Sequence, residues 1–160
     1  TDVESGIGRY TFHYSDEDLC NGGYADATEV GVGYANHTVP VDVIGINLVE
    51  YLKKEHSDKL SRVSFIKIDT EGFDKQIFKS IKELLEKYRP LVQIELFDGL
   101  TSAEREDLFN IVDSTNYKLF DFTKANKDID KIGERLTKEQ IISMRAISGH
   151  DLLCVPIEGV

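Results

Sequence analysis

Length, composition and charge limit the classes of protein to consider. The chain has 160 residues, 41% hydrophobic and 30% charged, which is typical of one ordinary globular domain with a core of its own. The formal net charge of −10 argues against nucleic acids and anionic membranes as partners, because no basic stripe is present to neutralise them.

The amino-terminal region, residues 1–45, is predicted to be β-rich. Strand patterns cover 7–14, 29–34 and 39–44, and Asn21-Gly22-Gly23 is a strong turn signal. The closely spaced glycines at 6 and 8 and at 31 and 33 are not followed by a helix pattern. They are therefore interpreted as hairpin or bulge glycines and not as a phosphate-binding loop.

The remainder, residues 46–160, alternates strand and helix patterns. Asn47 is expected to cap a helix that ends near His56, and Val63–Ile68 is expected to be a strand buried on both faces. The elements predicted after this strand are a helix over 73–88, a strand over 91–97, a helix over 103–114 capped by Ser102 or Thr101, a strand over 117–122, a short helix capped by Thr137 and a strand over 151–157. This order predicts an α/β protein with a Rossmann-like, mostly parallel sheet, the whole chain forming a single domain.

An acidic turn, Asp69-Thr70-Glu71, follows the first of these buried strands. In an open α/β sheet the carboxyl ends of strands are where ligands bind, so Asp69 and Glu71 are candidates for handling a proton, a hydroxyl or a metal. The alternative is that Thr70 caps the next helix while Glu71 and Asp74 complement its dipole. For Asp74 this second interpretation is preferred.

A second acid, Glu95, ends the next predicted strand and is expected at the same edge of the sheet. Asp69, Glu71 and Glu95 could serve as a general base and pocket acids, or as oxygen ligands of a divalent cation. Alternatively, Glu95 is a structural acid paired with Lys67 or Arg89. Among the histidines, His13 is the one most worth testing, because it precedes the turn at Asn21-Gly22-Gly23. His13 and Asn21 are candidate substrate-binding residues, together with Glu95.

The two cysteines, Cys20 and Cys154, lie far apart and match no metal-binding spacing. Sparse cysteine favours a reducing compartment, so a cytoplasmic location is expected. No stretch has the pattern of a signal peptide or approaches the roughly 20 apolar residues that cross a bilayer.

Residues 65–74 closely resemble the "IKIDxEGxE" signature of FkbM-like methyltransferases. Three further stretches resemble family segments in the same order: 2–12 resembles "SD-x-x-G-x-x-x-F", 89–95 resembles "KP-x-(apolar)-E", and 151–156 resembles "N-(apolar)-AVP". The resemblance extends over nearly the whole chain. Asp74 stands where the family prefers Glu, a conservative departure.

The resemblance implies a class I methyltransferase that depends on S-adenosylmethionine and acts on a hydroxyl of a sugar, glycolipid or polyketide-type acceptor. The family's sheet has seven strands with the last antiparallel, so 151–156 would insert beside 117–121. The family's donor-binding glycine-rich loop and ribose-binding acid are expected upstream of Thr1, so this chain corresponds to the later part of the fold. Asp69 would then lie beside the transferred methyl group and near the donor.

Two other functions stay open at this point. The chain could be a non-catalytic binding module that keeps half of a methyltransferase sheet, in which case the sheet edge near Val63 should be covered by another chain or by the amino-terminal β region. It could also be a metal-dependent variant that uses Asp69, Glu71 and Glu95, although a metal is not expected. A homodimer is possible.

Overall fold

In the computed structural model, the described residues are 7–14, 23–25, 39–70, 73–123, 132–144 and 150–157. They form two sheets, a three-stranded sheet in the order β2-β1-β3 and a four-stranded sheet in the order β4-β5-β7-β6. The elements are β1 Ile7–Tyr14, β2 Gly23–Ala25, β3 Val39–Ile46, α1 Leu48–Glu55, β4 Phe65–Ile68, α2 Asp74–Ser80, α3 Lys82–Tyr88, β5 Leu91–Glu95, α4 Ser102–Ser114, β6 Tyr117–Asp121, α5 Lys138–Ser143 and β7 Asp151–Pro156.

The three-stranded sheet is antiparallel, with β1 between β2 and β3. Its two described glycines in β1 and β3 make room for one aromatic ring. A Cβ atom added at Gly8 would lie 2.7 Å from Cε2 of Tyr10, and one added at Gly45 would also collide with that ring. Gly8 is thus a strand glycine beneath an aromatic side chain, in agreement with the rejection of a phosphate-binding loop. Strand 29–34 and the glycines at 6, 31 and 33 lie outside the described residues.

The four-stranded sheet is mixed. Strands β4 and β5 pair in parallel, whereas β7 is antiparallel to both of its neighbours and lies between β5 and β6. The expected antiparallel last strand beside β6 is therefore confirmed. Its other neighbour is β5, so the first residue of β7 comes to lie opposite the last residue of β5.

The main core lies on one face of this sheet, where α2, α3, α4 and the start of α1 pack against it. Fully buried side chains from the sheet and from the helices form this core. The largest are Tyr117, Phe78, Ile81, Leu84, Leu85, Ile94, Leu96, Leu108, Leu119, Ile141 and Leu152. Burial of side chains of this size stabilises a fold by about 1.5–3 kcal/mol each before entropic costs. This apolar layer fixes the helices and thereby the loops that leave the sheet.

The prediction of one helix over 73–88 is wrong, because two helices meet at Ile81. The hydroxyl of Ser80 donates to the carbonyl of Ile77 at 2.8 Å, and Ile81 takes a turn conformation at φ −99° and ψ 11°. Serine hydroxyls that bond back to the helix backbone bend helices. Ile81 is nevertheless fully buried, which explains why its apolar spacing continued the helical pattern.

The prediction that β4 is buried on both faces is also wrong. Ile68 is buried in the core, but Phe65 on the opposite face is 48% exposed. Among the described strands β4 pairs with β5 alone and so lies at an edge of the sheet. An edge strand with one covered face alternates between buried and exposed side chains.

Three predicted helix caps are confirmed. The side chain of Asn47 accepts from the backbone of Val49 and Glu50, while Thr101 and Thr137 each form a reciprocal capping box. The predicted cap at Thr70 is wrong. Helix α2 starts at Asp74, its N-cap residue is Phe73, and no side-chain cap bond is present there.

Candidate active site at the carboxyl edge of the sheet

Acidic side chains meet at the edge where β4 and β5 end and β7 begins. The pairing of Ile68 with Ile94 brings Asp69 and Glu95 to the next positions of the same edge. Because β7 runs in the opposite direction, its first residue, Asp151, lies directly opposite Glu95. The structure therefore brings together two of the predicted site residues, Asp69 and Glu95, and adds a third acid.

Lys67 supplies the positive charge at this edge. Its Nζ lies 2.7 Å from Oδ2 of Asp69, and the two side chains are 53% and 48% exposed. The hydrogen bond that Lys67 donates to Asp69 is the main reason why the pKa of Lys67 is raised, and the charges of Asp151 and Glu95 raise it further. Like charges placed opposite each other destabilise a sheet, so an ammonium that faces all three acids stabilises this arrangement.

Asp74 is the buried acid beneath the turn that follows β4. Its Oδ2 accepts from Oγ of Thr70 at 2.9 Å and from the backbone nitrogen of Thr70 at 3.3 Å. Its Oδ1 accepts from the backbone nitrogen of Glu95 at 3.1 Å. Burial raises the pKa of Asp74, and these hydrogen bonds oppose the rise. Asp74 is thus bonded to both strand ends, a role that the expected contribution to the helix dipole does not include.

The remaining predicted residues are placed as follows. Glu71 and Asn21 lie outside the described residues, and His13 lies in β1, opposite Tyr24 and Pro40. The alternative that pairs Glu95 with Arg89 is wrong. The Arg89 guanidinium donates to the carbonyls of Thr115, Asn116 and Ile157 at the other end of β5.

Sequence reasoning missed Asp151 and a neighbouring pair, His150 and Asp121. Nε2 of His150 lies 3.7 Å from Oδ1 of Asp121, at the end of β6. The position of Lys67 could have been predicted from the sequence. It lies two residues before Asp69, and residues two apart on a strand share a face. For Asp151 and His150 no such signal exists, because their placement depends on the register of a strand about 55 residues away along the chain.

Neither a metal-binding cluster nor a membrane-spanning helix is found in the described part of the chain. No group of three or more His, Cys, Asp or Glu side chains within it is arranged to hold a metal ion. Within the same residues no helix has the length and apolar character needed to cross a membrane.

Comparison with known protein families supplies the identification. A family model described as a methyltransferase FkbM domain matches residues 3–125. The chain belongs to the FkbM methyltransferase family. The match includes β4, the acidic turn, β5, α4 and β6, and so contains Asp69 and Glu95. Searches of curated proteins and of solved structures found no match.

Family membership gives the acidic edge a chemical context. An FkbM methyltransferase domain indicates methyl transfer, and its mixed α/β sheet is consistent with a methyltransferase-like fold. In open α/β sheets ligands bind at the carboxyl ends of the strands, and Asp69 and Glu95 lie at that edge here. The carboxylates at this edge can accept a hydrogen bond and a proton from a hydroxyl group, and the Lys67 ammonium can donate a hydrogen bond.

The described residues do not make up a site for a methyl donor by themselves. At this edge Oδ2 of Asp69 is bonded to Lys67, and both oxygens of Asp74 are bonded to backbone or side-chain donors. Neither Asp69 nor Asp74 therefore has both carboxylate oxygens open to accept hydrogen bonds from the two hydroxyls of a ribose.

Proposed function

We propose that this FkbM domain transfers a methyl group from S-adenosylmethionine to a hydroxyl of a sugar, glycolipid or polyketide-type acceptor. The observation that carries the proposal is the family match over 3–125, together with the placement of Asp69 and Glu95 at one edge of the sheet. S-adenosylmethionine supplies an electrophilic methyl group when bound. The residues of this chain would then act on the acceptor.

Asp69 is the first of the proposed catalytic residues. Among the described residues its bonded partner is Lys67, which holds Oδ2 and leaves Oδ1 able to accept from an incoming hydroxyl. The ion pair fixes the direction of the carboxylate, so a hydroxyl bound at Oδ1 is oriented. Proton removal by Asp69, or by Glu71 in the same turn, would make the acceptor oxygen a nucleophile.

Glu95 and Asp151 are proposed to line the acceptor side of the cleft. They lie opposite each other on neighbouring strands. Glu95 is on β5, next to the strand that leads to Asp69, and Asp151 is on β7, one strand beyond. Carboxylates in this position can accept hydrogen bonds from the several hydroxyls of a sugar and hold it in one orientation. His13 and Asn21 are retained as proposed substrate-binding residues, and Asp69 as the residue nearest the donor.

Calorimetry with S-adenosylhomocysteine, the demethylated form of the donor, tests this function. The protein is titrated with S-adenosylhomocysteine, with adenosine as the control ligand. Saturable heat with S-adenosylhomocysteine is the expected result, followed by transfer of a tritiated methyl group from S-adenosylmethionine to one of a panel of methyl glycosides. Absence of both heat and transfer would contradict the proposal.

A second candidate function, a non-catalytic binding module, is favoured by one observation. Among the described strands β4 has β5 as its single neighbour, and Phe65 on its outer face is 48% exposed. A strand edge with an exposed aromatic side chain is suited to pairing with another strand. Multi-angle light scattering separates the two functions: a strict monomer that methylates a glycoside excludes the binding module, and an inactive oligomer supports it.

A further inference from the structure

A single buried carboxylate joins the ends of β4 and β5. Asp74 is 3% exposed, and its two oxygens bond to different strand ends. One oxygen holds the backbone and hydroxyl of Thr70, in the turn after β4, and the other holds the backbone nitrogen of Glu95 at the end of β5. The two backbone segments that carry Asp69 and Glu95 are therefore fixed to the same group.

A helix-dipole role does not account for this arrangement. An acid near the start of a helix stabilises it by about 0.3–1 kcal/mol while exposed to solvent, and burial is not required. Burying a carboxylate is costly unless hydrogen bonds compensate it. The compensating donors of Asp74 come mainly from Thr70 and Glu95, with a smaller contribution from its own backbone nitrogen. The position of the carboxylate is thus explained by the two strand ends that it connects.

We infer that Asp74 is a positioning residue, which sets the separation and orientation of Asp69 and Glu95 by holding Thr70 and Glu95 on its two oxygens. The inference rests on the proposed function, in which Asp69 and Glu95 contact the acceptor. Charge-assisted hydrogen bonds are short and strong, so they can hold a loop and a strand end in one geometry. A shift of about 1 Å between such groups is enough to lower a rate by roughly 10²-fold.

Replacement of Asp74 by Asn separates positioning from packing. The side chain keeps its size, but only one of its two polar atoms can accept, so either Thr70 or Glu95 loses its partner. The expected result has two parts. In the NMR spectrum the amide proton of Thr70 or of Glu95 moves upfield and exchanges at least tenfold faster. In methyl transfer from S-adenosylmethionine to a methyl glycoside, kcat falls at least tenfold while the KM for the donor stays within twofold.

Cys154→Ala is the matched control. Cys154 is buried in the main core; burial raises the pKa of its thiol, and the nearby Asp74 carboxylate raises it further. Its truncation lowers stability but leaves both strand ends bonded to Asp74. We expect wild-type amide signals at Thr70 and Glu95 and wild-type kcat in this variant. If Asp74→Asn lowers stability as Cys154→Ala does and leaves both amides and kcat unchanged, the inference is overturned.

A second variant covers the case in which Asp74→Asn does not fold. Thr70→Val keeps the carboxylate and removes the hydroxyl bond alone, so Glu95 should keep its amide signal while the Thr70 amide exchanges faster and kcat falls. Wild-type exchange and wild-type kcat in Thr70→Val would overturn the inference. Calorimetry with S-adenosylhomocysteine on the wild-type protein tests the proposed function and not the role of Asp74. Its failure contradicts the proposed function, whereas the amide signals still decide whether Asp74 holds both strand ends.

Discussion

At the scale of single residues, Tyr117 shows how a polar group is accommodated in the core. Its hydroxyl donates to the carbonyl of Pro90 at 2.9 Å, and the guanidinium of Arg89 lies over its ring at 4.5 Å. Burial raises the pKa of Tyr117 to about 12. The residue connects the first position of β6 to the chain that leads into β5.

Replacing Tyr117 by Phe should lower the free energy of unfolding by about 1–3 kcal/mol, because a buried carbonyl then lacks its donor. Urea denaturation of both proteins at neutral pH measures the difference. Tyr51→Phe, at an exposed position of α1, is the control and should change stability by less than about 0.5 kcal/mol. An unchanged denaturation midpoint in Tyr117→Phe would show that the hydroxyl bond contributes nothing.

The same residues show where sequence reasoning stops at this scale. The pattern predicted that Asp69 and Glu95 share an edge, because both follow apolar runs of strand length. It could not show that Asp74 is buried, since a helix-start acid and a buried bridging acid look alike in a sequence. Glu71 and Asn21 lie outside the described residues, so their roles stay predictions.

At the scale of elements, α4 begins with a complete capping box. The hydroxyl of Thr101 accepts from the backbone of Glu104, and the Glu104 carboxylate accepts from both the backbone and the hydroxyl of Thr101. These bonds lower the pKa of Glu104. The cap was predictable because all of its parts lie within four residues.

Thr101→Ala should destabilise the protein by about 1 kcal/mol, the usual effect of losing a helix cap. Thermal unfolding measures it, with Ser102→Ala at the next, exposed position as the control. The loss should shrink in acid. Since the folded-state pKa of Glu104 is lowered, its stabilisation is present above the ordinary value of 4.5 and disappears as the pH falls through the folded value. An undiminished loss at low pH would contradict the capping box.

Elements whose form depends on tertiary contacts were less predictable. The break at Ile81 is hidden, because the residue is buried on the same face as the helical residues around it. The exposure of Phe65 depends on which strand lies beside β4, and no local pattern reports a neighbour. The order of strands and helices follows from periodicity, whereas lateral neighbours in a sheet arise from contacts distant in sequence.

At the scale of the whole molecule, Asp74 links stability to pH through its burial. Its folded-state pKa is raised, so the folded protein holds this proton more tightly than the unfolded chain does. The associated stability is complete below the ordinary value of 3.8 and is lost as the pH rises through the folded value. A difference between the wild type and a variant at Asp74 isolates this contribution from the titration of the other acids.

The wild type should therefore lose stability relative to Asp74→Asn as the pH is raised above 3.8. The quantity compared is the difference between their free energies of unfolding. Urea denaturation at several pH values measures this difference. Ser102→Ala, at an exposed position of α4, removes no ionisable group, so it is the control and should give a flat difference. A wild-type advantage that grows with rising pH would show that the hydrogen bonds of Asp74 outweigh its burial.

Much of the molecule followed from its sequence. The α/β alternation, the three helix caps and the acidic edge come from local patterns, and the antiparallel last strand came from the family resemblance. The insertion of β7 between β5 and β6 brings Asp151 opposite Glu95, and this pairing depends on register over a long stretch of chain. The acceptor side of the proposed site is therefore larger than the local patterns indicated.

The most direct test of the account is the rate of methyl transfer by Asp69→Asn. With tritiated S-adenosylmethionine and the methyl glycoside that the wild type accepts, kcat should fall by roughly 10²–10⁴-fold, the usual contribution of a general base. Asp113→Asn removes a carboxylate that pairs with Lys118 at the other end of the sheet, so this control should keep wild-type activity. A wild-type kcat in Asp69→Asn would contradict the claim that the acidic edge of β4 and β5 is where the acceptor hydroxyl reacts.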